Sequence, residues 1–496
     1  MATTAPGWRE LATTLDGSLV RPDDTEFSSL RRPFVGGLTE VLPQAVVRCA
    51  GAPDVARAVT FARKHRLPVA IRSGGHSFAD HCATDGLLID LGRLDTVALA
   101  GETATIGPGV RLGPLAQRLA VQGRIVSCGW NPLVAVGGAV LGGGFGVLSR
   151  RFGLGCDQLL AAQVVLADGD IVWVDEQREP DLFWALRGAG WAGFGVVTAL
   201  VLRTFPVQRM CRFVHRWPWA DAAALIDAWQ RWAPHAPDHL NAEVAIQSAD
   251  PSADPKVTLF GATLGRADAA RAALAEFLAS AAPGHELDEL TELSPAAAPL
   301  RHSYAGAAVL EHPQPGPPAG LRPLLRAVKS EFFDTALPEP AITALLANFA
   351  ADRRPAQYRE LEFIPWGGMI GKPDPGATAF THRNQLFQIG HHGMVPNPAG
   401  DDARAAARGW AKRSWRSVHP WAAGGVYPNY PDADLPDWAR AYYGDNLPRL
   451  TEVKARYDPD DVFHFAQSIP ATAGAPRHRA DGGPDRGGSN GPATPP

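Results

Sequence analysis

Arg72-Ser73-Gly74-Gly75-His76-Ser77 packs more usable chemistry into six residues than any other stretch of this 496-residue chain. It follows Val69-Ala70-Ile71, an apolar run that reads as a buried strand. Two adjacent glycines after a strand let the backbone turn sharply and let its N–H groups approach a ligand closely. Consecutive N–H groups in such a turn form a nest for an anion. His76 stands on the rim of that nest, where a neutral imidazole nitrogen is a usable nucleophile. A Gly-Gly pair also suits a plain tight turn, so the reading depends on what accompanies it.

Residues 127–146 accompany it. Gly129, Gly137, Gly138, Gly142, Gly143, Gly144 and Gly146 fall in this stretch. A packed helix or strand would not carry so many, since each costs backbone entropy. They alternate with Val, Leu and Phe rather than Ser or Pro, which argues against a linker. The expectation is backbone lying against a flat ligand. A literal GxGxxG stands at Gly188, Gly190 and Gly193. It is not a nicotinamide-dinucleotide fingerprint, because a helix (181–186) precedes it, a strand (196–202) follows, and no acidic residue lies near 213.

The elements that must position these loops follow from periodicity. Strands are expected at 45–49, 69–72 and 87–91, with an amphipathic helix over 54–65 that Asp54 would cap. Hairpins are expected around Gly101 and at Asp168-Gly169. A helix spans 112–122 and ends at Gly123. From about 209 the texture changes to strands at 242–246, 257–262, 360–364 and 385–389. Ala-rich helices alternate with them at 222–232, 267–281 and 319–331, and a Pro-rich loop covers 312–318. A helix near 8–15 lies in an otherwise loose N-terminal arm, and another occupies 437–455. The expected division is an arm (1–38), a first domain part (39–208), an α+β insert (209–420), a C-terminal part of the first domain (421–470) and a disordered tail (471–496). The tail has five prolines, six glycines and no Leu, Ile, Val or Phe.

Apolar content of 46%, charged content of 20% and a net charge of −4 fit a globular, cytoplasmic protein. No basic run points to nucleic acid, and no apolar run is long enough for a membrane span. Five widely spaced cysteines without a CxxC pair fit neither a disulfide framework nor a metal site.

Several segments together resemble the berberine-bridge-enzyme-like flavin oxidoreductases of the vanillyl-alcohol-oxidase, or PCMH-type, superfamily. They are Ile71-Arg72-Ser73-Gly74-Gly75-His76-Ser77, Leu141-Gly142-Gly143-Gly144-Phe145-Gly146, Arg150-Arg151-Phe152-Gly153-Leu154 with Cys156-Asp157, and Asp181-Leu182-Phe183-Trp184-Ala185-Leu186-Arg187-Gly188. Tyr427-Pro428-Asn429-Tyr430-Pro431-Asp432 and Arg456-Tyr457-Asp458-Pro459-Asp460-Asp461-Val462-Phe463 complete the set. The resemblance implies an α+β fold: a two-part FAD-binding domain with an inserted substrate domain, its sheet covered by helices. It implies FAD linked through His76 to the flavin 8α-methyl carbon. Cofactor contacts would come from Arg72, Ser73, Gly74, Gly75, Ser77, Asn131, Val136, Gly137, Gly138, Gly142, Gly143, Gly144, Gly146, Gly195, Val196, Val197 and Asn429.

Many relatives carry a second covalent link from a cysteine in a Cys-Pro-x-Val pattern. Here that position is Asn131, so a single link is expected, with Cys128 an ordinary buried residue. Gly193 stands where relatives often have Asn. The chemistry implied is hydride transfer from an alcohol, sugar or polycyclic natural product to the flavin, with dioxygen or another acceptor reoxidising it. Tyr427 is the expected base and Tyr430 its substitute. Some relatives use a glutamate a few residues before a His-Arg pair; here the pair is His382-Arg383 and the position falls near Ala377. His391 and His392 are weaker candidates for substrate contact, and only one of them can face the site, since adjacent strand residues point to opposite faces. Gly390-His391 stands where relatives often have Gln-Tyr, which suggests a wider site. The competing readings are an NADPH-using flavin reductase and a flavin-loaded binding protein without catalysis.

Overall fold

The computed structural model describes residues 7–35, 41–129, 131–282, 284–293 and 324–471. The N-terminal arm is more ordered than its sequence suggests. Helix α1 (Trp8–Thr14) leads into β1 (Ser18–Val20), which pairs antiparallel with β2 (Ala45–Arg48). Asp54 is the tether. Its buried carboxylate accepts N–H bonds from Asp16 (2.9 Å), Gly17 (2.8 Å) and Ala50 (2.9 Å). It therefore acts from inside the first turn of α2 (Ala52–His65), whose N-cap is Gly51.

Strands β3 (Val69–Arg72) and β4 (Leu87–Asp90) complete a four-stranded sheet of order β1-β2-β4-β3, with β2 and β3 both parallel to β4. The apolar side of α2 (Val55, Ala58, Val59, Ala62) packs on Val47, Leu87 and Ile89. The hairpin β5 (Val97–Ala100) and β6 (Thr103–Ile106) follows as expected, then α3 (Leu112–Ala120) and α4 (Val136–Leu141). The second hairpin joins β7 (Leu159–Val165) to β8 (Ile171–Val174). Helix α5 (Pro180–Ala189) and β9 (Val196–Arg203) close a five-stranded sheet of order β5-β6-β9-β7-β8. The GxGxxG thus joins the end of a helix to a strand, the reverse of a dinucleotide-binding turn.

The third sheet has seven strands. They are β10 (Met210–Trp217), β11 (Leu240–Ser248), β12 (Lys256–Leu264), β13 (Glu286–Leu293), β14 (Leu324–Phe333), β15 (Tyr358–Pro365) and β16 (Phe387–Pro396). Their order is β13-β10-β12-β11-β15-β16-β14. Helices α6 (Ala222–Trp232), α7 (Ala267–Ser280), α8 (Glu339–Ala350) and α9 (Asp401–Arg416) cover one face, burying Val244, Ile246, Leu361, Phe363 and Ile389. The other face looks toward the first two sheets.

Two expectations fail here for one reason. The helix expected over 319–331 is instead β14 from Leu324 onward, paired in unbroken register from Leu324↔Pro396 to Phe333↔Phe387. The strand expected at 385–389 starts at Phe387 and runs on to Pro396. Pairing along the full length of β16 overrides local propensity even though β14 is the edge strand of the sheet. Residues 319–323, the loop at 312–318 and the tail from 472 lie outside the described residues.

The chain returns through α10 (Trp438–Tyr443) and α11 (Leu447–Tyr457), two helices where one was expected, broken at Gly444 with Pro448 opening the second. Tyr442, Tyr443, Leu450 and Val453 join the core of Leu182, Phe183 and Leu186. Buried Lys454 anchors this return: its Nζ donates to Gly193 O (2.8 Å) and Asp458 Oδ2 (2.7 Å).

Two arginines fasten the seven-stranded sheet to the rest. Arg150, 1% exposed, donates to Leu240 O (3.0 Å) and Pro234 O (3.1 Å), and also to the carbonyls of Trp366 and Ala236. Arg383 grips Asp157 with two nitrogens (2.9 and 2.7 Å). All five cysteines are buried and free, and burial raises every thiol, Cys82 to about 11 and Cys128 to about 12. Among the described residues no helix is long and apolar enough to cross a membrane.

Candidate active site

A cavity of about 790 Å³ lies between the glycine loops and the open face of the seven-stranded sheet. One wall is the turn after β3 (Ser73, Gly74, Gly75, His76, Ser77), with Asn131, Gly137, Gly138 and Gly144 beside it and Gly195, Val196, Val197 at one end. The opposite wall carries Gln247, Arg326, Glu360, Glu362 and His392. Tyr427, Asn429 and Tyr430 close it from the C-terminal segment.

His76 is held between the rings of Phe34 (5.7 Å, stacked) and Phe78 (5.6 Å, edge-on). Burial, reinforced by the Arg326 cation, lowers its pKa to about 3. The imidazole is therefore neutral and nucleophilic across the physiological range. Asn131 Oδ1 accepts the Leu133 N–H (3.0 Å) and presents no thiol. Cys128 is buried behind this wall and is not part of it.

Six residues named from the sequence are not on the cavity wall. Arg72 turns away to Asp90 (Nη2 2.8 Å, Nε 3.0 Å) and the Leu30 carbonyl, fixing the loop to β4 and the arm. Val136 faces the core behind α4. Gly142 and Gly143 are covered by side chains, not by open space. A Cβ on Gly142 would collide with Asn429 and Trp191; one on Gly143 (φ 134°) would lie 2.8 Å from Tyr427 Cε2. Gly146 packs on the Gly129 backbone. The expected flat ligand against this run is thus, over Gly142–Gly143, the side chains of Tyr427 and Asn429. His391 points to the helical face, its Nδ1 2.8 Å from Ser414 Oγ, while His392 faces the cavity.

Gly138 tests whether a cofactor fits. It lies on the cavity wall, exposed, and a Cβ there would meet nothing within 4 Å. Protein packing does not require glycine at this position, and its bare Cα leaves room for a group to lie against the backbone. With the neutral His76 and the turn of N–H groups, the residues present fit a dinucleotide flavin.

The two tyrosines occupy different environments. Tyr427 Oη receives N–H bonds from Gly144 (2.8 Å), Phe145 (3.2 Å) and Asn429 Nδ2 (3.2 Å), and burial raises its pKa to about 12. Tyr430 Oη donates to Glu362 Oε2 at 2.9 Å. Burial and then the Glu362 charge push the Tyr430 phenol well above its usual range. A carboxylate does line this cavity, but it comes from β15 rather than from the chain before His382-Arg383. His382 Nε2 is bound to Tyr442 O (3.0 Å), away from the cavity.

The sheet wall was the part sequence reasoning missed. Glu243, Ala245 and Gln247 on β11 share a face with Glu360 and Glu362 on β15, His392 and Met394 on β16, and Arg326 on β14. Gln247 Nε2 donates to Glu360 Oε1 (2.7 Å). Burial raises Glu360 and takes Glu243 to about 8, with Glu362 adding to both. The one signal available was the period-two spacing of acids in Tyr358-Arg359-Glu360-Leu361-Glu362-Phe363, which puts both glutamates on the same face.

Comparison with known proteins places the chain in a class. Residues 43–175 match the FAD binding domain family, and residues 426–470 match the "Berberine and berberine like" family. The chain belongs to the berberine-bridge-enzyme-like FAD-linked oxidoreductases. It is 32% identical to the FAD-linked oxidoreductase YvdP of Bacillus subtilis, over 92% of this chain and 99% of that one. It is 30% identical to the xylooligosaccharide oxidase of Thermothelomyces thermophilus, over 90% and 91%. The structure of a glucooligosaccharide oxidase from Acremonium strictum, described with a 6-S-cysteinyl, 8α-N1-histidyl FAD, superposes with a TM-score of 0.82. It is 26% identical and covers 93% of this chain and 98% of that one.

Proposed function

We propose that this enzyme oxidises a hydroxyl-bearing carbon of a sugar or related polyol, using FAD held through a single bond to His76. The observation that carries the reading is the Tyr430–Glu362 hydrogen bond of 2.9 Å on the wall opposite the glycine loops. FAD, when bound, accepts the hydride from the substrate carbon. Ser73, Gly74, Gly75, Ser77, Gly137 and Gly138 would hold it by backbone and small side chains, with Gly195, Val196 and Val197 at the far end. The resemblance to oligosaccharide oxidases and the polar wall of Gln247, Glu360 and Glu362 favour a polyhydroxylated substrate over an apolar polycycle.

The proton follows from the chain's own residues. Tyr430 rests as a phenol. It takes the substrate O–H proton while giving its own to Glu362, so the substrate loses a hydride and a proton and leaves as a carbonyl. The base must lie within hydrogen-bond reach of the proton it removes. Tyr427 is less suited, because its oxygen is already engaged by N–H donors; it holds the Gly143–Phe145 backbone in place. Dioxygen or another acceptor then takes the electrons.

Acid precipitation of the purified protein tests the cofactor role of His76. The pellet stays yellow, and in His76→Ala the colour moves to the supernatant; colour in the wild-type supernatant rejects the link. Anaerobic mixing with oligosaccharides and polyols tests the activity by bleaching of the flavin. Bleaching by NADPH, or by no polyol at all, rejects the oxidase reading.

A further inference from the structure

His392 is a buried imidazole that the reading above leaves idle. It is 2% exposed and lies on the cavity wall. Its Nε2 stands 3.3 Å from Glu362 Oε2, the same oxygen that accepts the Tyr430 hydroxyl. Its ring lies 5.5 Å from that of Tyr430 and 6.4 Å from Phe78, edge-on to each. Both ring nitrogens are buried without a hydrogen-bond partner among the described residues, so Nε2 approaches Glu362 at contact distance and a small turn of the ring is needed to bond it.

The backbone is shaped for this arrangement. In the sheet, Glu362 pairs with Gly390 and Glu360 with His392, so the imidazole must fold back along its own strand to reach Glu362. Gly390 makes that possible. A Cβ there would lie 2.7 Å from His392 Nε2 and 3.5 Å from Glu362 Oε2. A side chain at 390 would occupy the position the imidazole takes.

We propose that His392 is a positioning residue that extends Tyr430–Glu362 into a three-member proton relay. This rests on the assignment of Tyr430 as base. The substrate hydroxyl gives its proton to Tyr430 O, Tyr430 gives its own to Glu362, and Glu362 passes one to His392 Nε2. The pair then holds a carboxylate and an imidazolium, and the surplus proton leaves to solvent when the flavin is reoxidised. No electrons move through the relay. The groups facing His392 are Glu362 and Glu360 from β15, Arg326 from β14 and Tyr430 from the C-terminal segment. His391 points to the opposite face.

The test uses the flavin-loaded protein and stopped-flow reduction by whichever polyol bleaches it. His392→Gln is expected to lower the limiting reduction rate about 10- to 100-fold. The half-saturating substrate concentration should change little, and the pH–rate profile should move. Gly390→Ala keeps the imidazole but displaces it, and is expected to reproduce a milder form of the same change. In a Tyr430→Phe background His392→Gln should cost almost nothing more, as for groups acting in one chain. A readout independent of turnover is the NMR signal of the His392 ring nitrogens, which Glu362→Gln should displace because Nε2 faces that carboxylate. A His392→Gln rate and pH profile superposable on wild type, while Tyr430→Phe is slow, overturns the relay and spares the base. Wild-type rates in Tyr430→Phe overturn the base assignment and the relay with it.

Discussion

The two walls of the cavity are built by opposite strategies. The glycine wall works through backbone: the turn at Ser73–Ser77 and Gly137–Gly138 offer N–H groups and bare Cα atoms, and its titratable group, His76, is kept neutral. The sheet wall works through side chains: Gln247, Arg326, Glu360, Glu362 and His392 come from four strands, and burial among them raises the Glu360 carboxyl. A wall made of backbone suits a ligand that is always the same. A wall made of alternating strand side chains can change with one substitution and leave the sheet intact. The contrast implies that cofactor retention and substrate turnover are separable by mutation.

The largest effect expected comes from parting the walls. Arg150→Ala leaves the carbonyls of Leu240, Pro234, Trp366 and Ala236 without their donor in a closed interior. Loss of ~3–5 kcal/mol is expected, read as a fall in the denaturation midpoint at unchanged m-value. Next is Tyr430→Phe, which should slow flavin reduction by about 10²-fold, near 2.7 kcal/mol of barrier. The flavin should stay bound and the acid pellet yellow. Loss of colour in this variant would break the separation of the walls.

Gly138→Ala probes the other side. Because a Cβ there meets no protein atom, the melting temperature of the flavin-free protein should not change. Flavin content per chain, read from the absorbance ratio, should drop several-fold. A fully loaded Gly138→Ala protein would mean that the cofactor does not lie on this backbone. The smallest effect belongs to Glu243, whose carboxyl is held neutral up to about pH 8 by burial and by Glu362. Its folded pKa lies above the unfolded value near 4.5, so its contribution is intact below pH 4.5 and drains away as the pH rises toward 8. Glu243→Gln, which can keep the bond from Asn241 Nδ2 (2.7 Å), should melt a few degrees higher than wild type at pH 8. The two proteins should melt alike at pH 4.5.

The same contrast explains what could be read from the sequence. The glycine wall is local: strand, turn and His76 sit within ten residues, and the hairpins at Gly101 and Asp168-Gly169 follow from turn chemistry. The sheet wall is not. Glu360 meets Gln247 and feels Arg326 only because β15 lies between β11 and β16 in an order far from chain order. Nothing in the local pattern around Leu325-Arg326-Ala327 distinguishes an Ala-rich helix from the ten-residue strand that pairing with β16 imposes. The clustered glycines of 142–146 were legible as a close approach but not as to what approaches. The partners, Tyr427 and Asn429, lie some 280 residues away in sequence.

The buried thiols bear on how long such a molecule lasts at work. A flavin enzyme that hands its electrons to dioxygen releases hydrogen peroxide beside its own chain with every turnover. Peroxide oxidises the thiolate and not the thiol. With Cys82 and Cys128 held near 11 and 12, and Cys49, Cys156 and Cys211 likewise raised, almost none of the sulfur is in the vulnerable form at neutral pH. Where dioxygen is the acceptor, the packing that makes these residues chemically dull would spare the protein from the peroxide formed.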